Sequence, residues 1–338
     1  MSQHKELHRV QDLARIYRDY FKHYRGERIS ASSHSSNLSL VHDHNLGSPI
    51  QMCTIAAQGR AYATLDENGL VTVMSATEGT ITTKISAGVG RGLAISADGN
   101  FIATGALGDE FARVWDVKHG TQVAVLGPLT YMAMCLKFAD DDSLLYVNSN
   151  TELSLWNTKT WQKQAGFANP PAAGGGDLSG NGWGLDLSES TGLLASTFGS
   201  SVRIWKVSDS TYRDFTDPSN IALKFWVYFV QNGSRVISGQ HGGIYGFSLS
   251  DGKPFLEDQP NAFVTAISAD SLFAAVAGDD ANGTNAAGVL YLCDSVTWTV
   301  LASIQAHSKT IWGTAISTAK RLIVSGGKDG HVKLWSFN

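Results

Sequence analysis

The sequence predicts an all-β chain, a seven-bladed β-propeller with an N-terminal α-helical extension, and three observations predict it. A short β pattern recurs as FARVWD at 111–116, ELSLWN at 152–157, SVRIWK at 201–206 and HVKLWS at 331–336, with weaker copies LVTVMS at 70–75, GIYGFS at 243–248 and GVLYLCDS at 288–295. The residues at the Trp position are Met74, Trp115, Trp156, Trp205, Phe247, Cys293 and Trp335, spaced by 41, 41, 49, 42, 46 and 42 residues. Each period holds four short alternating segments separated by Gly- or Asp-containing turns, such as ISADGN at 95–100. Four strands per period of this length is the grammar of a propeller blade. The apolar period is two rather than 3.6, which excludes stacked helical repeats.

Residues 1–36 precede this pattern. Within them Val10, Leu13, Tyr17, Tyr20 and Tyr24 recur at helical spacing, widened by Ile16 and Phe21, above a face rich in Lys and Arg. Three readings stay open for that helix: folded against the ring, docked on a partner protein, or lying at a membrane surface or serving as a targeting peptide. A Ser-rich link leads to the ring proper, residues 37–338. The chain stops at Asn338, directly after the third strand of its last blade, so an edge there needs covering. The short alternating segment 38–43 is expected to pair with the last blade and close the ring. Two insertions, 167–183 and 278–288, lie between strands; neither carries a phosphate-loop Gly-Lys-Ser/Thr nor an EF-hand spacing.

Composition narrows the function. The formal charge is −4 and the pI about 6.2, which disfavours a direct nucleic-acid partner. Three widely separated cysteines do not make a disulfide framework, and no apolar run has the length of a membrane span. These features predict a cytoplasmic or nuclear protein without a cofactor. His42 and His44 flank Asp43, but no third ligand stands at fixed spacing, so no metal is expected. No nucleophile elbow, HExxH or kinase set occurs, and no catalytic residue is assigned.

With these repeats, the chain resembles the WD-repeat family over roughly 37–338. His307, Ser325, Asp329 and Trp335 match the structural tetrad by which family members link His, Ser, Asp and Trp across a blade. Other blades keep parts of it: Thr104, Asp109 and Trp115 in the second, Thr64 and Asn68 in the first, Ser196 and Trp205 in the fourth, Ser238 in the fifth. The resemblance implies that His307 is structural rather than a general base.

The candidate site follows from aligning the blades on the apolar first-strand residues Ile55, Ile95, Phe138, Leu187, Phe229, Ile267 and Ile316. Four residues upstream, on the same strand side and nearer the channel mouth, stand Gln51, Arg91, Met134, Trp183, Phe225, Phe263 and Trp312. In WD-repeat proteins this position often contacts partners, and aromatic residues, Met and Arg are the types enriched in interfaces. Partner binding is therefore expected at Arg91, Met134, Trp183, Phe225, Phe263 and Trp312, competing with packing of the same rings between blades. The whole predicts a non-enzymatic interaction scaffold, monomeric as a ring, within a multiprotein complex. A ligand-binding or catalytic propeller using the channel mouth, and a membrane-associated adaptor, are the alternatives.

Overall fold

The structure, a computed structural model, describes residues 37–149, 152–168, 181–198, 201–216, 226–240, 243–256, 263–270, 272–279 and 288–338. The expected N-terminal helix, with Val10, Leu13, Tyr17, Tyr20 and Tyr24, lies outside them. Seven four-stranded antiparallel sheets form the blades. Their inner strands are Ile50–Ile55, Gly90–Ile95, Cys135–Phe138, Asn181–Ser188, Trp226–Val230, Phe263–Ala269 and Ile311–Ser317. Each inner strand packs against that of the next blade, and the seventh packs against the first, so the ring is closed.

The recurring sequence positions recur in register. The seven Trp-position residues pair with Tyr62, Ile102, Leu145, Leu194, Val236, Ala274 and Ile323 on the neighbouring second strands. The outer strand of blade 7 comes from the start of the ring: Leu38–Asn45 pairs antiparallel with His331–Phe337, placing Leu38 opposite Phe337 and Leu40 opposite Trp335. Two side-chain contacts fasten it further, Asp43 to His331 at 2.7 Å and to Lys333 at 3.5 Å.

A propeller has no single core. Seven buried apolar clusters form instead, one in each interface between adjacent blades. Between blades 2 and 3, for instance, Ala94, Ala103 and Val114 meet Leu136, Phe138, Leu145 and Trp156. Both faces of every sheet are thus covered, which is why the second and third strands are apolar on alternate and intervening positions alike. Tryptophan also reaches across at turns. Trp161 and Trp298 sit at positive φ of 55° and 58°, where the equivalent turns of other blades use Gly79, Gly120 and Gly252. The gain is an interblade wedge: the Trp161 ring meets Phe101 of blade 2 edge-on at 5.5 Å.

Candidate functional site at the channel mouth

Four of the seven upstream positions share an irregularity of the inner strand. Gln51, Arg91 and Trp312 each fall in a register shift between the first and second strands, at Ile50/Met52, Gly90/Gly92 and Ile311/Gly313. A bulge leaves its extra residue outside the ladder and re-aims the side chain. Trp183 lies in the wider irregularity between Asn181 and Leu185. Arg91 is exposed, Trp183 and Trp312 are half-buried, and Met134 is buried in the ring. Phe225 lies outside the described residues.

Blade 6 departs from the alignment. Its bulge lies between Val264 and Ala266, so the register equivalent of Arg91 and Trp312 is Thr265. Phe263 pairs with Asp279 two residues farther along the strand, beyond the position assigned to it from sequence. The reason is local. Asp270 N–H donates to Phe273 O in a tight turn, and Ala269 pairs with Ala274, whereas the matching ISAD segment of blade 2 pairs Ile95 with Ile102 around a longer turn. One motif thus supports two registers separated by two residues, with side-chain parity preserved.

Two cation–aromatic contacts organise the mouth. The Arg91 guanidinium of blade 2 lies 4.5 Å from the centroid of the Trp183 ring of blade 4. The Lys328 ammonium stands 3.9 Å from the Trp312 centroid in blade 7, where Lys328 N–H donates to Thr310 O. Sequence reasoning missed a further feature, an apolar sector on the same face over blade 2 and its junction with blade 3. Val89, Leu107 and Tyr131 are 44%, 54% and 39% exposed, and Leu107 N–H donates to Val89 O. They sit in connecting turns, where no strand periodicity marks them.

The tetrad residues form a continuous chain in blade 7. Trp335 Nε1–H donates to Ser325 Oγ at 2.9 Å, Ser325 Oγ lies 2.8 Å from His307 Nε2, and His307 Nδ1 lies 3.0 Å from Asp329 Oδ1. With Nδ1–H directed at the carboxylate, Nε2 accepts from the serine hydroxyl. Burial holds the His307 pKa below its ordinary value, against the opposing pull of Asp329. Asp329 is itself pushed up by burial, but bonds from His307 and the Ser308 and His331 N–H groups bring it below the usual carboxylate range. A Cβ at Gly327 would collide with the His307 ring and the Asp329 carboxylate, so the glycine beside the tetrad is required. A saturated, buried chain of this kind ties strands together.

Other blades improvise. Trp115 donates to Thr104, Trp205 to Ser196, and Trp156 to Ser154 of its own strand. Asp109, without a histidine, pairs with Arg113 at 2.8 Å, and the buried Arg203 of blade 4 is held bidentately by Asp214. A belt of interblade bonds inside the channel supplements these. Lys137 of blade 3 contacts Asp186 of blade 4 at 3.1 Å, and Asp186 accepts from Phe229 N–H of blade 5 at 2.8 Å. Ser268 of blade 6 accepts from Ile316 N–H of blade 7 at 3.0 Å. Burial raises the Asp186 pKa although Lys137 opposes it, and Asp186 raises that of Lys137. For Lys137 and Asp186 the sequence signal was a polar residue directly before the apolar alignment position; Ser268 follows its alignment residue Ile267 and carries no such signal.

Among the described residues, reactive groups do not converge at the mouth. Among the described residues no three His, Cys, Asp or Glu side chains are grouped for a metal ion. His42 Nε2 lies 3.2 Å from Ala76 O, and Asp43 is engaged by His331 and Lys333. The three thiols are free, and burial pushes all of them up, Cys135 and Cys293 to about 12. At the opposite end of the inner strands a cavity of about 90 Å³ lies against Ile55, Leu93, Lys137 and Phe138. Small-molecule sites are commonly ~300–1,000 Å³. No described helix is long and apolar enough to cross a membrane.

A family model described as WD domain, G-beta repeat, matches residues 78–116 and 298–336. Each match runs from the turn before an outer strand through the third strand of the next blade. No curated protein matches the chain.

Proposed function

Because the chain belongs to the WD-repeat family, whose propellers are commonly non-enzymatic protein-interaction scaffolds, we propose that it is a scaffold subunit of a multiprotein complex. It binds partner proteins at the face that carries Arg91, Trp183 and Trp312, and the segment with Val10, Leu13, Tyr17, Tyr20 and Tyr24 provides a second attachment. The observation that carries this reading is the half-buried Trp183 under the exposed Arg91 at the channel mouth. Aromatic and Arg side chains at a rigid rim are the usual composition of binding hot spots. The ring acts as a monomer, engages no nucleic acid directly, and works in the cytoplasm or nucleus; the slightly acidic charge balance and the free thiols support these assignments.

The test is affinity capture by the tagged full chain from its native source, compared with Trp183→Ala and Trp312→Ala. A hot-spot ring loses on the order of 2 kcal/mol or more of partner affinity with little change in stability. Variants that retain every partner but melt several degrees lower would assign both rings to packing and overturn the proposal.

A further inference from the structure

The seam that closes the ring holds two histidines. His42 and His44 of the closing strand Leu38–Asn45 stand opposite Leu334 and Val332, which pack against Tyr62, Met74 and Ala76 of blade 1. Cross-strand partners share a sheet face, so both rings enter the interface between blades 7 and 1. Their centroids are 6.3 Å apart. His42 Nε2 donates to Ala76 O at 3.2 Å, and its ring covers Gly79, where a Cβ would stand 2.5 Å from Nδ1. His44 Nε2 is buried without a hydrogen-bond partner. A neutral ring leaves a bare acceptor there, whereas a protonated ring buries an N–H with nothing to receive it.

The charges around the seam do not supply a carboxylate for that N–H. Asp43 lies on the other side of the strand, engaged by His331 at 2.7 Å and Lys333 at 3.5 Å. From blade 1, Glu78 shares the turn with Ala76 and Gly79 and accepts from Thr80 Oγ1 at 3.3 Å. Lys84 pairs with Thr72, on the flank of blade 1 that also carries Met74 toward the seam, and adds a cation there. Val300–Gln305 of blade 6, which also touches the closing strand, has no charged residue. Burial, reinforced by His42, holds the His44 pKa below its ordinary value against the pull of Asp43.

We infer that the closing strand is a proton-sensitive clasp: protonation of His42 and His44 in the seam loosens Leu38–Asn45 from blades 7 and 1 while the other strands of the ring stay paired. Because the folded seam disfavours the proton on His44, the clasp is complete above about pH 6.5 and weakens as pH falls through the lower folded value. Opening uncovers the backbone edge of His331–Phe337, which is a template for another strand.

Hydrogen exchange of the full chain, read by mass spectrometry at about pH 7.5 and 5.5 and corrected for intrinsic rates, tests this. Protection over 38–45 and 331–337 should fall on the order of ten-fold per pH unit below the folded pKa, the slope of one proton bound on opening. That fall should exceed the one over 322–327, which follows His307. His42→Gln and His44→Gln each reduce the difference, and the double variant removes it. If the double variant does not fold, His44→Phe, which has no nitrogen to protonate, should reduce the difference in its place. Equal losses over 38–45 and 322–327 would refute the clasp, as would a difference that persists in full in these variants.

Discussion

Ser325→Ala is the sharpest probe of how blade 7 is held. Its hydroxyl is fully buried, accepts the Trp335 indole N–H at 2.9 Å, and lies 2.8 Å from His307 Nε2. Deleting it strands two groups, an indole donor and an imidazole acceptor, both without access to water. Each unsatisfied buried group costs about 1–3 kcal/mol, so the substitution costs roughly 2–6 kcal/mol. Ser154→Ala in blade 3 is the internal comparison. There the serine receives one indole, Trp156, at 2.9 Å and no histidine, so the cost is about half, roughly 1–3 kcal/mol. Urea unfolding followed by far-UV circular dichroism and tryptophan fluorescence measures both, given coincident transitions. Adding Trp335→Phe to Ser325→Ala removes the stranded donor and recovers part of the loss. Equal costs at the two serines, or no recovery in the double variant, would refute the picture of a coupled chain.

Acid should weaken the same blade in two windows. His307 is held neutral below its ordinary pKa, so its contribution is complete above about pH 6.5 and is lost as pH falls toward the folded value. Asp329 is held ionised, so its contribution is present above about pH 3.9 and is lost as pH falls through its lower folded pKa. Urea midpoints that stay flat between about pH 7 and 5 would contradict the first window. Removing residues 1–45 exposes the His331–Phe337 edge and should lower the melting temperature and promote aggregation, whereas removing 1–36 leaves the melting temperature unchanged. Lys137→Met leaves the Asp186 carboxylate in the channel without its cation; it destabilises at neutral pH, and the loss shrinks in acid as Asp186 takes up a proton, which melting curves at two pH values resolve. The native thiols, raised by burial, should resist a thiol reagent at about pH 8 until denaturant is added.

Much of this architecture is legible in the chain because a repeat states it many times. Met74, Phe247 and Cys293 replace tryptophan, yet the recurrence of the surrounding strand and turns identifies their blades, and their backbones pair as the tryptophans do. The alignment that located Arg91, Trp183 and Trp312 worked for a related reason: side-chain parity along a strand is a local property. It failed at Phe263 because the ISAD segments at 95–98 and 267–270 are identical in sequence, while the register each adopts depends on the following turn and on Ser268 reaching Ile316 of blade 7.

By itself the sequence determined that strands alternate, where turns fall, how many blades form, and which residue types stand near the mouth, because these depend on neighbours within a few residues. Tertiary structure alone decided that Arg91 covers a tryptophan 92 positions away, that Lys137, Asp186 and Phe229 lace three blades together, and that Val89, Leu107 and Tyr131 face outward in one sector. Each of these depends on distances between segments far apart in the chain, set by the curvature of the closed ring, and no local pattern of residues encodes such a distance.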